Sequence, residues 1–357
     1  MLLTSFKYRS QNWILDGLTF GESNLIVGKN SSGKSKALEA LSSVISIISQ
    51  RSQIDAQSNL ETEISLMDSN DNQIIYSFGL CDKEVSSEKL LFNGQIIINR
   101  SDSEAVMDGE RVYPPRDMLL IHVRRDLQKY PIIEELINWS EEAVIRSFIH
   151  NENPNHDELY EIIARFTPEM KNHLVKMANQ VGFPISQIDT LDNLANRIID
   201  ITLPYTTELK LVLIREEGVE SMLFLRDLSS GMYRTILLLI LIEQLINLDH
   251  PALIAIDDLG EGLDYSRATQ VGRLLFDICR EKKIQIVATS NEEFMMNIVD
   301  ISNWNILVRK GDHVKSITSN LCPEYFEEFK FSGLDNFDFF TSDFLSRISS
   351  NLLGNHE

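Results

Sequence analysis

Gly28-Lys29-Asn30-Ser31-Ser32-Gly33-Lys34-Ser35 decides how the rest of the chain is read. Its pattern, G-x-x-x-x-G-K-[ST], is that of a phosphate-binding P-loop. Glycines at both ends let the backbone wrap an anionic chain with no Cβ in the way. Successive backbone N–H groups then converge on its oxygens. Lys34 reaches the β- and γ-phosphates of a nucleotide, and the Ser35 hydroxyl is placed to ligate Mg²⁺. The flanks agree. Asn24–Val27 is a short apolar strand leading in, and from Lys34 to about Ser49 the residues Ala37, Leu38, Leu41, Val44, Ile45 and Ile48 share one helix face. The N-terminus of that helix adds partial positive charge beneath the phosphates. A plain Gly/Ser turn would leave this agreement unexplained. Gly28 to Lys36 is therefore the expected nucleotide-binding stretch.

A second stretch completes the chemistry. Ala252-Leu253-Ile254-Ala255-Ile256-Asp257-Asp258 is an apolar strand ending in two carboxylates. In a P-loop protein the first carboxylate holds Mg²⁺ through water and the second polarises the attacking water. Leu228-Ser229-Ser230-Gly231-Met232 precedes a helix, about 25 residues before that strand. Alone it reads as an ordinary serine N-cap. Its order is informative: P-loop, LSxG, apolar strand with Asp-Asp, Gly262-Leu263-Asp264, then Ile286-Val287-Ala288-Thr289-Ser290-Asn291. This succession resembles the ABC-type ATPases and, more narrowly, their soluble SMC/Rad50/RecF-like branch. Ser5-Phe6-Lys7-Tyr8-Arg9-Ser10, followed by two strands and the P-loop, looks like the opening of that branch. The resemblance covers residues 1–50 and 225–310, and covers 60–225 only in the order of elements.

The resemblance implies an α/β P-loop ABC-ATPase fold with a mixed sheet, an antiparallel β lobe and a helical lobe. It implies ATP and Mg²⁺ as ligands. It also implies that Leu228, Ser229, Ser230, Gly231 and Met232 bind the γ-phosphate of ATP held on a second subunit's P-loop, so that two chains close head to tail around two nucleotides. A serine hydroxyl and backbone N–H groups at a helix N-terminus suit that role. Arg9 stands where the branch has a basic residue near the nucleotide; the other reading is a solvated strand-end arginine. Gln128, after a Met118–Val123 strand, is the candidate for the glutamine that senses Mg²⁺. Two positions depart from the pattern. Asp258 stands where glutamate is usual, with one methylene less reach. Asn291 stands where histidine is usual; asparagine can donate to a γ-phosphate but carries no proton near neutral pH. Both point to slow hydrolysis, with Glu261 as a second candidate for the base.

Composition narrows the partners. The chain has 357 residues, a hydrophobic fraction of 43% and a net charge of −20, which argues against a broad nonspecific nucleic-acid surface. Between Arg111 and Lys129 five basic residues stand against two acidic ones; this is either a solvated loop or a local phosphate or partner contact, and a DNA contact elsewhere stays open. The longest apolar run, Thr235 to Ile242, falls short of a membrane span. The N-terminus lacks the apolar core of a signal peptide. Cys81, Cys279 and Cys322 form no metal spacing and read as reduced thiols of a cytoplasmic protein.

Along the chain, four segments of one ATPase domain are expected. Residues 1–130 carry the P-loop and a β lobe whose strands are separated by Ser69–Asn72, Asn93-Gly94, Asp108-Gly109 and Pro114-Pro115. Residues 131–205 form a helical lobe, helical by periodicity from Pro131 to about Asp200. Strands at Glu208–Arg215 and Glu220–Arg226 open the signature, Walker B and switch region, 206–320. Residues 321–357 are an acidic tail holding seven of the 17 phenylalanines, which either pack on the core or dock a partner. The resemblance implies an ATP-driven homodimer switch in anti-phage defence or a DNA-associated process, beside an effector protein; no nuclease signature is present in the sequence, so any cutting or toxicity would belong to that partner. The cytoplasmic ATPase subunit of a membrane transporter is the alternative, disfavoured by the separation of about 195 residues between Gly33 and Leu228. A P-loop kinase or GTPase leaves LSSGM unexplained.

Overall fold

The computed structural model describes residues 1–54, 59–146, 156–191, 210–248 and 250–341. The strands, in chain order, are β1 (Leu2–Ser10), β2 (Trp13–Thr19), β3 (Ser23–Val27), β4 (Leu60–Met67), β5 (Gln73–Cys81), β6 (Glu84–Phe92), β7 (Gln95–Ser101), β8 (Glu104–Met107), β9 (Glu110–Val112), β10 (Val144–Arg146), β11 (Ile185–Thr190), β12 (Val212–Glu216), β13 (Leu223–Phe224), β14 (Leu253–Ile256), β15 (Gln285–Thr289), β16 (Trp304–Lys310) and β17 (His313–Ile317). The chain divides into two compact units. One comprises Met1–Ser147, His250–Asp258 and Cys279–Glu357; the other comprises Phe148–Asp249 and Leu259–Ile278.

The first unit is built on a mixed sheet in the order β10-β14-β15-β3-β16-β17-β2-β1-β4-β5-β6-β7-β8-β9. Its strands β10, β14, β15, β3 and β16 run parallel. Those at the centre, β14, β15 and β3, are mostly apolar and almost wholly buried on both faces, as parallel strands between covering layers must be. From β1 through β9 the sheet is antiparallel. Here side chains alternate: Ile74, Tyr76 and Phe78 of β5 face inward against Ile64 and Leu66 of β4. The Lys34–Ile48 helix buries the apolar face expected of it. Buried Gln285 ties the chain's opening to the core: its amide donates to the carbonyls of Leu3 and Gly21, both at 2.7 Å, and accepts the Leu3 N–H at 2.9 Å.

One buried polar network holds the β lobe together. The Glu88 carboxylate accepts from the Tyr76 hydroxyl at 3.0 Å and from the N–H groups of Leu120 and Ile121 at 2.6 and 3.1 Å, with Arg100 3.8 Å away. Burial pushes the Glu88 carboxyl up, and these backbone, hydroxyl and guanidinium groups draw it back down. The network also corrects an expectation. Met118–Val123 is not a strand; Leu120–Val123 is a single helical turn. Its first N–H groups are bound by Glu88, about thirty residues earlier, while Leu119, Leu120 and Ile121 are buried. An apolar run settles burial here, and a distant carboxylate settles its conformation. Tyr76→Phe removes a hydrogen bond to a buried charged group and lowers stability by about 2 kcal/mol. All three tryptophans of the chain, Trp13, Trp139 and Trp304, are buried in this unit, so an earlier urea transition in tryptophan fluorescence reads the loss.

The second unit holds the helices His156–Ala164, Pro168–Gln180 and Ser230–Ile246 and a small sheet in the order β11-β12-β13. The Ser230–Ile246 helix is buried on almost every side from Thr235 to Ile242, which accounts for its unbroken apolar run without a membrane. Among the described residues no helix is long and apolar enough to cross one. The segment from Pro131 to about Asp200 is helical only in part. β10 interrupts it in the first unit, paired in parallel with β14. In the second unit the Gly182-Phe183-Pro184 break resets the chain, and Ile185, Ile188 and Thr190 then bury alternately against β12. The expected Glu220–Arg226 strand shortens to β13 and passes into a 3-10 turn, Leu225–Asp227. The Asn153-Pro154 break and Phe344 lie outside the described residues. In the tail, Phe326, Phe329 and Phe339 are buried and pack ring on ring at centroid distances of 5.0 and 4.8 Å, whereas Phe331 is 86% exposed.

Candidate nucleotide site

Three neighbouring parallel strands place the site. β14 ends at Ile256, β15 at Thr289 and β3 at Val27, so Asp257-Asp258, Ser290-Asn291 and Gly28 emerge side by side at one carboxyl edge. That edge is where open parallel sheets bind ligands. The P-loop itself is shaped for a close-fitting anion. Ser31 and Gly33 both have positive φ, 65° and 105°. A Cβ on Gly28 would lie 2.3 Å from the Ser32 hydroxyl and 2.9 Å from the Leu307 carbonyl, so only glycine fits there. Lys29, Asn30 and Ser31 are exposed at the tip, while Ser32 is buried with its hydroxyl unpartnered.

Lys34 is buried rather than solvent-facing; its Nζ donates to the Gly28 carbonyl at 3.0 Å. Burial pushes its ammonium down, and the carboxylates of Asp258 and Asp257 draw it part of the way back. This is a cation held ready near two acids, with a neutral carbonyl as its resting partner. Asp257 is buried, and Asp258 has a left-handed φ of 49°. Thr289 joins them: its hydroxyl donates to Asp257 Oδ1 at 2.6 Å and accepts the Asp258 N–H at 2.8 Å. Asn291 reaches across to the P-loop, its Nδ2 donating to Asn30 Oδ1 at 2.9 Å. Lys34, Asp257, Asp258 and Asn291 thus gather at one strand edge, with Ser35 next to Lys34 in the chain.

The donor set fits Mg²⁺, a hard cation that takes oxygen ligands and is usually held by one or two carboxylates together with substrate phosphates. Ser35 and Asp257 would hold it. Among the described residues no group of three or more His, Cys, Asp or Glu side chains could hold a metal unaided. Gln128 sits in an exposed turn whose backbone N–H donates to Asp126, and no described contact links it to Ser35 or Asp257. Arg9 is exposed, 3.9 Å from Glu61, on an open groove of about 460 Å³ that Lys7 and Glu63 also line; no described contact ties it to the P-loop. Lys36 is held over the Trp13 ring at 5.1 Å.

The signature stretch belongs to the second unit. Ser229, not Ser230, is the N-cap: its side chain accepts the Met232 N–H, and both serines are exposed. A Cβ on Gly231 would lie 2.5 Å from the Gly262 carbonyl, so glycine at this position lets two backbone segments touch. Glu261 also lies in this unit, its carboxylate 2.8 Å from Arg234. The basic excess at 111–129 is largely neutralised, since Arg111 pairs with Glu104, Arg116 with Glu84 and Arg125 with Glu134. Two further residues contribute: Thr289, at the end of β15, through its bonds to Asp257 and Asp258, and Arg309. Arg309 donates to the Gly311 carbonyl at 2.7 Å and to the Ser31 carbonyl at 3.4 Å, placing a cation beside the P-loop. Neither carries a motif, and each acts through a partner distant in sequence.

The fold is the α/β P-loop ATPase fold of SMC heads. Residues 23–290 match the family described as "AAA domain, putative AbiEii toxin, Type IV TA system", and the chain belongs to that family. No curated protein matches it. Among solved structures the fold is similar to an SMC head bound to the C-winged helix domain of ScpA, at TM-score 0.54 and 11% identity, over 89% of this chain and 97% of that one. It is also similar to an Smc head with an extended coiled coil bound to the C-terminal domain of ScpA from Pyrococcus furiosus, at TM-score 0.53 and 11% identity, over 92% and 99%.

Proposed function

We propose that the chain binds ATP with Mg²⁺, hydrolyses it slowly, and uses nucleotide to close head to tail with a second copy. The observation that carries this reading is the convergence of Lys34, Asp257, Asp258 and Asn291 at the edge of three adjacent parallel strands. One chain supplies one P-loop and one LSSGM, so two complete sites need two chains. The P-loop amides and Lys34 bind the phosphates, Ser35 and Asp257 hold Mg²⁺, and Asp258 takes or orients a proton of the attacking water. Mg²⁺, when bound, neutralises charge developing on the phosphates. Ser229, Ser230 and the N–H groups they flank would meet the γ-phosphate of the other chain's nucleotide. The segments 1–130, 131–205, 206–320 and 321–357 then act as parts of one ATPase domain. The family's description supports a setting in cellular defence, and the ScpA-bound heads support a docked partner protein acting as effector. The neutralised 111–129 stretch gives little support to DNA contact.

Mixing tests the composite site. Lys34→Ala and Ser230→Arg chains should each be inactive alone. A mixed dimer of the two regains one intact site, so the mixture should recover ATP turnover well above either part. A mixture no more active than its components, or full activity in Ser230→Arg alone, contradicts the arrangement.

A further inference from the structure

The amides of Asn30 and Asn291 meet although the residues are 261 apart in sequence. Asn30 is on the exposed tip of the P-loop, and Asn291 follows β15. Asn30 accepts through Oδ1, so Asn291 must show it a nitrogen. A planar amide fixed at its nitrogen has its oxygen fixed as well. That oxygen, Asn291 Oδ1, is buried and has no hydrogen-bond partner. A buried acceptor left without a donor costs about 1–3 kcal/mol, so this geometry calls for a donor that arrives with the substrate. Ionised phosphate oxygens accept only, as do the carboxylates of Asp257 and Asp258. Lys34 is turned to the Gly28 carbonyl. Water is the donor that this site must admit for hydrolysis.

We propose that Asn30 is a positioning residue for hydrolysis: it holds one N–H of the Asn291 amide so that the Asn291 oxygen accepts a hydrogen bond from the attacking water. The inference rests on the ATPase reading above. In the step, a bond forms between the water oxygen and the γ-phosphorus, and the bond from that phosphorus to the β,γ-bridging oxygen breaks. The electron pair stays with the bridging oxygen on ADP. The proton lost by water passes by way of Asp258 to the released phosphate. Asn291 takes no proton and only orients the water.

Two substitutions at Asn30 test this, read by kcat, KM and the ATP Kd of the full-length chain, with thermal melting as the folding control. Asn30→Ala frees the Asn291 amide to rotate, and kcat falls about tenfold, the cost of losing one positioning contact, while the ATP Kd changes less than twofold. Asn30→Asp keeps the acceptor and recovers most of that loss. If the Asn30 side chain instead bound phosphate directly, the order would reverse: the added negative charge would make Asn30→Asp the worse variant and would raise the ATP Kd. That reversed order, or an unchanged kcat in Asn30→Ala, overturns the inference. Absence of ATP binding by the wild-type chain in calorimetry would instead remove the nucleotide reading itself.

Discussion

Asp258→Asn lowers ATP turnover about 1,000-fold and leaves ATP affinity within about a factor of two. A positioned general base contributes about 10²–10⁴-fold, and Asp258 is the acid that follows the β14 strand with its backbone N–H pinned to Thr289. The binding groups, Lys34, Ser35 and Asp257, are untouched, so ATP still binds and the closed dimer accumulates. Aspartate must reach the water with a shorter arm than glutamate, and small misplacements of a base are costly. Asp258→Glu therefore raises turnover if the left-handed backbone at 258 accommodates the extra methylene. Phosphate release at saturating ATP reads both variants. Unchanged turnover in Asp258→Asn would transfer the role to Glu261.

Lys34→Ala raises the ATP Kd about 100-fold or more. Hydrogen bonds to charged groups are each worth about 1.5–3 kcal/mol, and Lys34 is the buried cation of the P-loop, so losing two such bonds costs about 3 kcal/mol or more, which at about 1.4 kcal/mol per tenfold is about 100-fold or more in affinity. The fold survives, because burial already works against the Lys34 charge and its resting bond is to a single carbonyl. Titration calorimetry gives the affinities, and an unchanged melting curve separates lost binding from lost structure. Equal ATP affinity in the two proteins would sink the P-loop assignment.

The parts legible in the sequence were those set by local pattern. β3, the P-loop and the Lys34–Ile48 helix follow from an apolar strand, a glycine turn and a helical stripe within about 26 residues. β14 is short and wholly apolar, β15 has the apolar centre Ile286–Ala288, and both are buried on both faces, as their sequence pattern predicts. What escaped depends on distant partners. The Leu120–Val123 turn exists because Glu88 binds its amides, and β10 exists because β14 pairs with it. The burial of Lys34 against the Gly28 carbonyl is likewise set by how the P-loop folds, which the sequence does not show. The contact of Asn291 with Asn30 joins residues 261 apart and uses one of the two N–H groups of the Asn291 amide, which no local pattern shows. Thr289 and Arg309 bear no motif at all; their value lies in the Asp257 carboxylate and the Ser31 carbonyl that they bind.

The central claim is that nucleotide drives two chains together. Light scattering of the wild-type chain with Mg²⁺, with and without a non-hydrolysable ATP analogue, measures it directly. The account predicts a mass near 40.9 kDa without nucleotide and twice that with the analogue, the doubling being lost in Lys34→Ala. A mass that is the same with and without the analogue would contradict it.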